Sequence, residues 1–369
     1  MKITYSIIEN VEDWSNYKAD WQGLHENAQY SSIYNSFEFI YQSVRHYHSP
    51  VSRDILVKIH SDGQLIGLFF LNECKQYRLG IPLRTMEFCG LEEGDKIHPL
   101  IHQSFPSQAW KGFFAFLKEH KARWDIISLN EQTDDQISRM LVQLKRRHFW
   151  FRCTEDKSGP LIPLSTDWQS FKAQHKKLRQ RLKRFEQHFN GRYRFEMRPG
   201  NQLLDDYLTV ESNSWKFKKL GIQKSHASEN FHSQLMMSLD DKKSAIGILY
   251  VDDQPISGEI IYSHKKTVYL SQGCYDQNLA KFSPGMISTT YLLQNLIESG
   301  KYQWADGLCG YAGYLHHWAE KIVTTKKIEI LNVNLPILGF LAVKVIDRIV
   351  RAPLLKLRKS TNEKYLPFR

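Results

Sequence analysis

The tripeptide Ser283-Pro284-Gly285 has the composition expected of a helix start that binds an anion. Serine is favoured at the N-cap position of a helix and proline at the first helical position, so a helix is predicted to begin here. The backbone N–H groups at such a start carry a partial positive charge and attract a phosphate group. Gly285 lets a ligand approach the backbone closely, and Lys281 adds a charge beside it. A phosphate site is therefore predicted; the alternative is an ordinary helix start without a ligand.

Four other side chains have the chemistry needed to move a proton or to hold a substrate. Asp306 lies at the end of a predicted strand, where a carboxylate can face a cleft or cap a turn. Glu259 lies within a predicted strand, where an inward carboxylate is costly unless it is paired. Histidine is the residue type that changes charge near neutral pH, so His316 is a candidate base, and Tyr314 can orient a substrate or donate a proton to a leaving group. A purely structural role is the alternative for each.

Glu211, Trp215 and Lys216 form a further group of candidates. Glu211 and Trp215 are four residues apart, which places them on one face of a predicted helix. We expect the group to contact a substrate, with Glu211 as a catalytic candidate and Trp215 and Lys216 as binding residues. The chain has neither the Gly-x-Ser-x-Gly pattern of a nucleophile elbow nor a Walker loop. Direct transfer without a covalent enzyme intermediate is therefore favoured.

Two β-hairpins of similar design must position these residues, one in each half of the chain. The first joins strands predicted at 54–60 and 64–71, and the second joins strands at 244–251 and 256–262. In both, a glycine follows a turn aspartate by five residues, which marks a bulge or a close backbone approach. The repetition predicts a duplicated α+β unit, although any two hairpins share some of these features.

The remaining segments alternate between helices and strands. Helices are predicted at 107–120, 134–147 and 284–299, and strands at 125–129, 267–275 and 302–307. Glycine and proline at 158–160 predict a boundary between two halves there.

Positive charge is concentrated in two segments. Residues 172–198 contain ten Lys or Arg and two Glu, a net charge of +8, and residues 340–369 add +6. The whole chain carries +11, so the rest nets −3, which excludes a protein that coats nucleic acid along its length. Apolar spacing in the first segment predicts an amphipathic helix whose basic faces contact an anion or are simply solvated. The apolar and basic stretch 335–359 predicts a helix that lies on an anionic membrane or packs on the body.

Composition limits the class of protein. A length of 369 residues suggests two domains, and 42% hydrophobic and 13% aromatic content exclude disorder. The five cysteines form no Cys-x-x-Cys pair, so no metal is expected. The N-terminus lacks the apolar run of a secretory signal, and no stretch is apolar enough to span a membrane, so a cytoplasmic protein is expected.

Several short motifs carry a resemblance by their order and spacing. They are the basic run 175–184 (HKKLRQRLKR), 211–216 (ESNSWK), Tyr275-Asp276, Ser283-Pro284-Gly285, 305–310 (ADGLCG), and Tyr314 with Trp318. With these motifs the chain resembles the GNAT-superfamily acyltransferases of the CelD-like (cellulose-biosynthesis acetyltransferase-like) type, which are related to the Fem transferases. The strongest match covers about 165–320, and the first half agrees more loosely.

The resemblance implies an α+β fold with two tandem GNAT-like lobes, each a mostly antiparallel mixed sheet flanked by helices. We place the first lobe at 1–157, the second lobe with the acyl-donor site at 158–334, and a basic amphipathic tail at 335–369. It also implies that Ser283, Gly285 and Met286 hold the pyrophosphate of acyl-CoA or acetyl-CoA, the co-substrate, and that Tyr275 contacts the substrate.

The activity implied is N-acyl transfer to an amino sugar or other amine of a cell-surface polysaccharide or envelope precursor. The acceptor can be lipid-linked, with the protein peripheral on the inner face of the cytoplasmic membrane. The alternatives are a Fem-like transferase that uses aminoacyl-tRNA, and a catalytically silent scaffold in polysaccharide assembly. The chain departs from the family pattern at Leu315, where relatives have a lysine, and His316 is placed to substitute in part.

Overall fold

Thirteen strands form one large mixed sheet in the part of the chain that the structure describes. The structure is a computed structural model, and it describes residues 2–47, 49–214, 226–309 and 313–347. The strands are β1 (Ile3–Ile8), β2 (Arg53–Ser61), β3 (Gln64–Arg78), β4 (Ile81–Phe88), β5 (Leu100–Ile101), β6 (Ile126–Gln132), β7 (Trp150–Pro163), β8 (Tyr193–Pro199), β9 (Ser244–Val251), β10 (Gln254–His264), β11 (Thr267–Tyr275), β12 (Trp304–Asp306) and β13 (Lys321–Leu331).

Helices flank this sheet. They are α1 (Lys18–Asn27), α2 (Phe37–His46), α3 (Pro106–Glu119), α4 (Asp134–Arg146), α5 (Trp168–Gln174), α6 (Lys176–Phe189), α7 (Leu204–Ser212), α8 (His226–Ser238), α9 (Pro284–Ser299) and α10 (335–347). Short 3-10 segments lie at Val11–Tyr17, Ile33–Asn35, Lys121–Arg123, Gln277–Phe282 and Leu315–His317. The predicted class, a mixed sheet flanked by helices, is confirmed. None of the helices in the described ranges is long and apolar enough to cross a bilayer.

The order of the strands repeats about the centre of the sheet. It runs β1-β2-β3-β4-β6-β13-β7-β12-β11-β10-β9-β8, with β5 paired to β3. Strands of the first half of the chain occupy one side and strands of the second half the other. The two central strands are exchanged: β13, from the end of the chain, pairs with β6, and β7 pairs with β12. The sheet therefore consists of two similar halves, each completed by a strand from the other.

The two predicted hairpins are β2–β3 and β9–β10. Both turns need left-handed backbone, with φ of 48° at Asp62 and 60° at Asp253. The two strand glycines lie close to neighbouring side chains. A Cβ on Gly67 would lie 3.2 Å from the Cβ of Ala109, and one on Gly258 would lie 2.8 Å from the Cδ1 of Ile248. The close approach that the sequence predicts is thus present in both halves.

Residues 158–160, where the sequence predicts a boundary between the two halves, belong to a continuous strand. They lie inside β7, which runs without interruption to Pro163. Gly159 is needed because a Cβ there would lie 2.5 Å from the carbonyl oxygen of Leu308, and Pro160 uses its carbonyl to accept the N–H of Gly307. Glycine and proline therefore serve the contact between β7 and the residues after β12, and the lobe boundaries at 157/158 and 334/335 stay predictions.

The basic helix predicted after this strand is α6, preceded by the short α5. Its apolar stripe, Leu178, Leu182, Phe185 and Phe189, is buried, and its basic residues are exposed. Burial of such a stripe is what holds an otherwise strongly charged helix against the sheet. The last helix, α10, also packs on the body, with Ile337 and Phe340 against Leu83 and Ile126.

Candidate functional site

A cleft opens where two parallel strands of the second half separate. β11 and β12 are paired only between Thr267–Tyr269 and Trp304–Asp306. The pairing ends there, and residues 270–275 of β11 and 307–309 after β12 both line a cavity of about 860 Å³. The front loop, residues 91–95 after β4, closes another side of the same cavity. Both halves of the chain therefore contribute to it.

The predicted anion site forms one end of this cavity. Ser283 precedes α9 with a φ of 56°, and Pro284 takes the first helical position. Because proline lacks an N–H, Gly285 and Met286 supply the first free donors of the helix. A Cβ on Gly285 would lie 3.1 Å from the Cδ1 of Tyr275, so glycine is required for the tyrosine ring to pack there.

Ser283, Gly285, Met286 and Tyr275 all line the cavity, as the sequence predicts for a binding site. Lys281 is exposed, and its ammonium group lies 4.9 Å from the centre of the Phe282 ring. It is not among the residues that line the cavity.

Arg181 brings the basic helix to this anion site. Its guanidinium group donates a hydrogen bond of 2.9 Å to the hydroxyl of Ser283, and Arg181 also lines the cavity. Ser283 occupies the N-cap position that the sequence predicts, but its side chain makes no capping hydrogen bond to its own helix. A guanidinium group beside a helix start adds a full charge and several donors to the partial charge of the backbone.

Glu259, Thr289 and Tyr314 form a chain of hydrogen bonds in the cavity wall. The Thr289 hydroxyl lies 2.7 Å from Oε2 of Glu259 and 3.1 Å from the hydroxyl of Tyr314. Burial raises the pKa of Tyr314, and repulsion by the Glu259 carboxylate raises it further. Tyr314 therefore keeps its proton at neutral pH and can donate it. Thr289 is a residue that the sequence analysis missed.

Asp306 lies beside the cavity in a buried ion pair. Its Oδ1 is 3.0 Å from the Nζ of Lys96 and accepts the N–H of Leu308. Lys96 also lies 2.5 Å from Oδ1 of Asp95, which binds the N–H of Cys309 through its other oxygen. Burial lowers the pKa of Lys96, but attraction by the two carboxylates outweighs it, so the pKa lies above its ordinary value. The role of Asp306 as a base stays a prediction.

Glu93 fixes the front loop against the second half of the chain. Tyr47 and Ser228 donate hydrogen bonds of 2.5 and 2.7 Å to its carboxylate, Gln272 donates another, and His232 lies 3.4 Å away. Burial alone would raise the pKa of Glu93, but His232 and these donors lower it to about 2. The carboxylate is therefore ionised at neutral pH and holds α2, α8 and β11 together at the cavity wall.

The other predicted residues lie elsewhere. Glu211 is buried on α7 and accepts a hydrogen bond of 3.5 Å from Tyr207, and His316 is half-buried in the 3-10 segment. Neither lines the cavity. Trp215 and Lys216 lie outside the described residues. Leu315, at the position of the family lysine, is buried in the core and contacts the cavity through part of its surface.

Asp95, Glu131 and Cys309 offer ligand atoms within 4.8 Å of one another, a spacing that suits a cation. Both carboxylates already have ammonium partners, because Lys96 lies beside Asp95 and Lys157 lies 2.5 Å from Glu131. The cluster therefore has its positive charge from the protein itself.

Comparison with known proteins agrees with this architecture. Residues 172–315 match the family model for the acetyltransferase (GNAT) domain. This segment contains α6, the start of α9 and Asp306. No curated protein matches the chain in sequence. The domain match and the fold support an acyltransferase, the enzyme class that the sequence predicts.

Several solved structures share the fold at low identity. FemX aligns with a TM-score of 0.61 at 10% identity, over 89% of this chain and 97% of its own. The C-terminal domain of a putative lysylphosphatidylglycerol synthetase from Agrobacterium fabrum aligns with a TM-score of 0.54 at 12% identity, over 91% and 96%. A tandem GNAT protein from the clavulanic acid biosynthesis pathway aligns with a TM-score of 0.51 at 8% identity, over 90% and 100%. The predicted tandem GNAT-like fold is thus confirmed.

Proposed function

We propose that the protein is an N-acyltransferase that takes an acyl group from acyl-CoA or acetyl-CoA. The observation that carries the proposal is the cleft between the separated strands β11 and β12, which ends at the start of α9 beside Arg181. The diphosphate of the donor binds the N–H groups of Gly285 and Met286 and the Arg181 guanidinium. Residues 270–275 of β11 continue past the pairing with β12 and line the cavity, so we place the extended arm of the donor along this segment.

The chain Glu259–Thr289–Tyr314 supports a mechanism of direct transfer. The amine nitrogen of the acceptor attacks the thioester carbonyl carbon, a C–N bond forms, and the C–S bond breaks. Glu259 takes the proton that the nitrogen loses, and Tyr314 gives its hydroxyl proton to the departing sulfur. The proton then passes from Glu259 to Tyr314 through the Thr289 hydroxyl, which restores the enzyme.

The acceptor that we propose is an amino sugar or another amine of a cell-surface polysaccharide or envelope precursor. We place its approach to the thioester along the front loop, which lines the same cavity as the anion site. A structural neighbour named as a putative lysylphosphatidylglycerol synthetase supports an acceptor carried on a lipid.

Calorimetric titration with acetyl-CoA and longer acyl-CoAs tests the donor. We expect Arg181→Ala to weaken binding about tenfold, because a hydrogen bond to a charged group contributes roughly 1.5–3 kcal/mol and this side chain is partly in solvent. Arg184→Ala is the matched control, since Arg184 is an exposed arginine of the same helix that does not line the cavity. Failure of the unaltered protein to bind any acyl-CoA would remove the proposal.

The basic face of α6 favours a second candidate, a Fem-like transferase that uses aminoacyl-tRNA. Lys176, Lys177, Arg179, Lys183 and Arg184 are exposed there, next to the anion site. Binding to tRNA would show a steep salt dependence, with a log–log slope of about −0.7 to −0.9 for each phosphate contacted. In that case the control Arg184→Ala would weaken tRNA binding as well. Indifference to tRNA at low salt would exclude this candidate.

A further inference from the structure

The last described helix, α10, has two apolar faces. Ile337 and Phe340 on the inner face pack against Leu83 and Ile126 at the start of β4 and β6. The outer face carries Leu335, Leu338, Val345 and Ile346, which are between 49% and 84% exposed. Residues 335, 338, 345 and 346 are separated by three, seven and one positions, and this spacing places their side chains along one side of an α-helix. A helix held to the body by its inner face needs no apolar residues on its outer face for folding.

The strand ends beside α10 enlarge this apolar surface. Tyr77 and Leu79 lie at the β3–β4 turn, and Ile81 after that turn packs against the inner face of the helix. Trp150 is the first residue of β7 and pairs with Leu331 of β13. Val333 follows Leu331 by two positions. All four side chains named here as exposed, Tyr77, Leu79, Trp150 and Val333, therefore lie at the same end of the sheet as α10.

This set, which we call the sheet-end patch, contains most of the large hydrophobic side chains that are exposed in the described residues. Twelve large hydrophobic side chains are exposed in them, and eight belong to the patch. Scattered exposed hydrophobic residues are normal, but a contiguous patch with polar surroundings marks an interaction surface. Tryptophan and tyrosine at its border are the residue types that favour the boundary between water and lipid.

Two kinds of surface could cover the patch, a second copy of the chain or a lipid bilayer, and charge distinguishes between them. The sequence after residue 347, residues 348–369, contains seven Lys or Arg and one Glu. Lys75 is exposed beside Tyr77, 5.8 Å from the centre of its ring. Two copies of the chain meeting through this patch would bring these like charges together. A bilayer with anionic headgroups would neutralise them, at about 1 kcal/mol for each basic residue near the surface.

We propose that the sheet-end patch docks the protein on a bilayer that contains anionic lipids. The outer face of α10 and the side chains at the strand ends enter the headgroup region, and the positive charge that the sequence carries at 348–369 favours anionic lipids over neutral ones. This binding does not depend on the identity of the acyl donor. It brings the protein to the surface where a lipid-carried acceptor is found.

Sedimentation with vesicles tests the proposal on the full chain. We expect the protein to sediment with vesicles of phosphatidylcholine mixed with phosphatidylglycerol, and at least tenfold less with phosphatidylcholine alone. Replacing Leu335, Leu338, Val345 and Ile346 together by Gln should lower the partition onto the mixed vesicles at least tenfold. All four side chains are exposed, so the variant should keep its unfolding temperature and its affinity for acyl-CoA.

A matched control replaces Val51 and Met237 by Gln. These residues are 83% and 66% exposed and lie outside the patch, so this variant should bind vesicles like the unaltered protein. The proposal is wrong if the unaltered protein stays in the supernatant with mixed vesicles at low salt. It is also wrong if the fourfold variant sediments normally, since the basic sequence alone would then carry the binding. Light scattering that shows a dimer dissociated by the fourfold change, without vesicle binding, would replace the bilayer by a second copy.

Discussion

Replacement of Lys96 by Met tests whether the two halves of the chain are locked together by a buried ion pair. The Lys96 ammonium group lies between Asp95 and Asp306, at 2.5 and 3.0 Å, and the three side chains are only 10–12% exposed. Removing the cation leaves two buried carboxylates without their partner. Breaking a buried pair in this way costs about 3–5 kcal/mol of unfolding free energy.

The same geometry predicts a smaller effect for Asp306→Asn. Lys96 keeps Asp95 as a partner, and the amide oxygen of Asn can still accept the N–H of Leu308. We therefore expect a loss of about 1.5–3 kcal/mol, the range for a hydrogen bond to a charged group. In the double variant Lys96→Met/Asp306→Asn, one of the two unpaired carboxylates is gone. The double loss should then be smaller than the sum of the single losses by about 1–3 kcal/mol.

Urea unfolding of the four proteins, monitored by circular dichroism, measures these differences. Arg192→Met is the matched control, because Arg192 has a short contact of 2.8 Å to Asp252, but these two side chains are 57% and 52% exposed. An exposed pair contributes about 0–1 kcal/mol, so this variant should be nearly as stable as the unaltered protein. A loss of less than 1 kcal/mol for Lys96→Met, or additive single losses, would refute the reasoning. Loss of activity in Asp306→Asn without loss of stability would instead support its role as a base.

Two further predictions concern protons and hydroxyl groups. Burial lowers the pKa of His98 to about 4. Below pH 6.5 the unfolded chain therefore takes up a proton that the folded chain does not, and the free energy of unfolding should fall by up to roughly 1.4 kcal/mol per pH unit from pH 6.5 down to pH 4. Urea unfolding at several pH values should show a flatter dependence of stability on pH for His98→Gln than for the unaltered protein. Thr289→Val removes the hydroxyl between Glu259 and Tyr314, and we expect it to cost about 1–3 kcal/mol of unfolding free energy and most of the transfer activity. Thr289→Ser should retain both the stability, measured by thermal unfolding, and the activity, measured by a thiol-release assay. Equal behaviour of the Val and Ser variants would contradict the proton path.

Local signals explain which parts of the architecture are predictable from the sequence. The turn aspartates, the strand glycines and the Ser283-Pro284-Gly285 start each act over a few residues, and the hairpins and α9 lie where these signals place them. The glycine and proline at 158–160 carry the same local signal but serve a contact with Leu308 and Gly307. In the sequence, a glycine or proline that a distant neighbour requires therefore cannot be distinguished from one that a turn requires.

The site residues that the sequence analysis missed depend on tertiary packing. Lys96 meets Asp306 across 210 positions and Arg181 meets Ser283 across 102, and nothing in the neighbouring residues marks either pair. Thr289 is one of several threonines and serines on α9, and only its position beside Glu259 distinguishes it. The sequence could predict Ser283, Gly285, Tyr275 and Tyr314 because they belong to short motifs.

The exchange of β7 and β13 at the centre of the sheet determines how the molecule can come apart. β13 hydrogen-bonds to β6 along one edge and to β7 along the other, so a cut between the halves would leave each with a missing strand and an open edge. Neither fragment would be a self-sufficient folding unit, and expression of one half alone should give aggregates. The same interlock prevents the halves from swinging apart about a hinge. Reactants must therefore enter and leave through the open side of the cleft, while the two halves of the sheet stay joined.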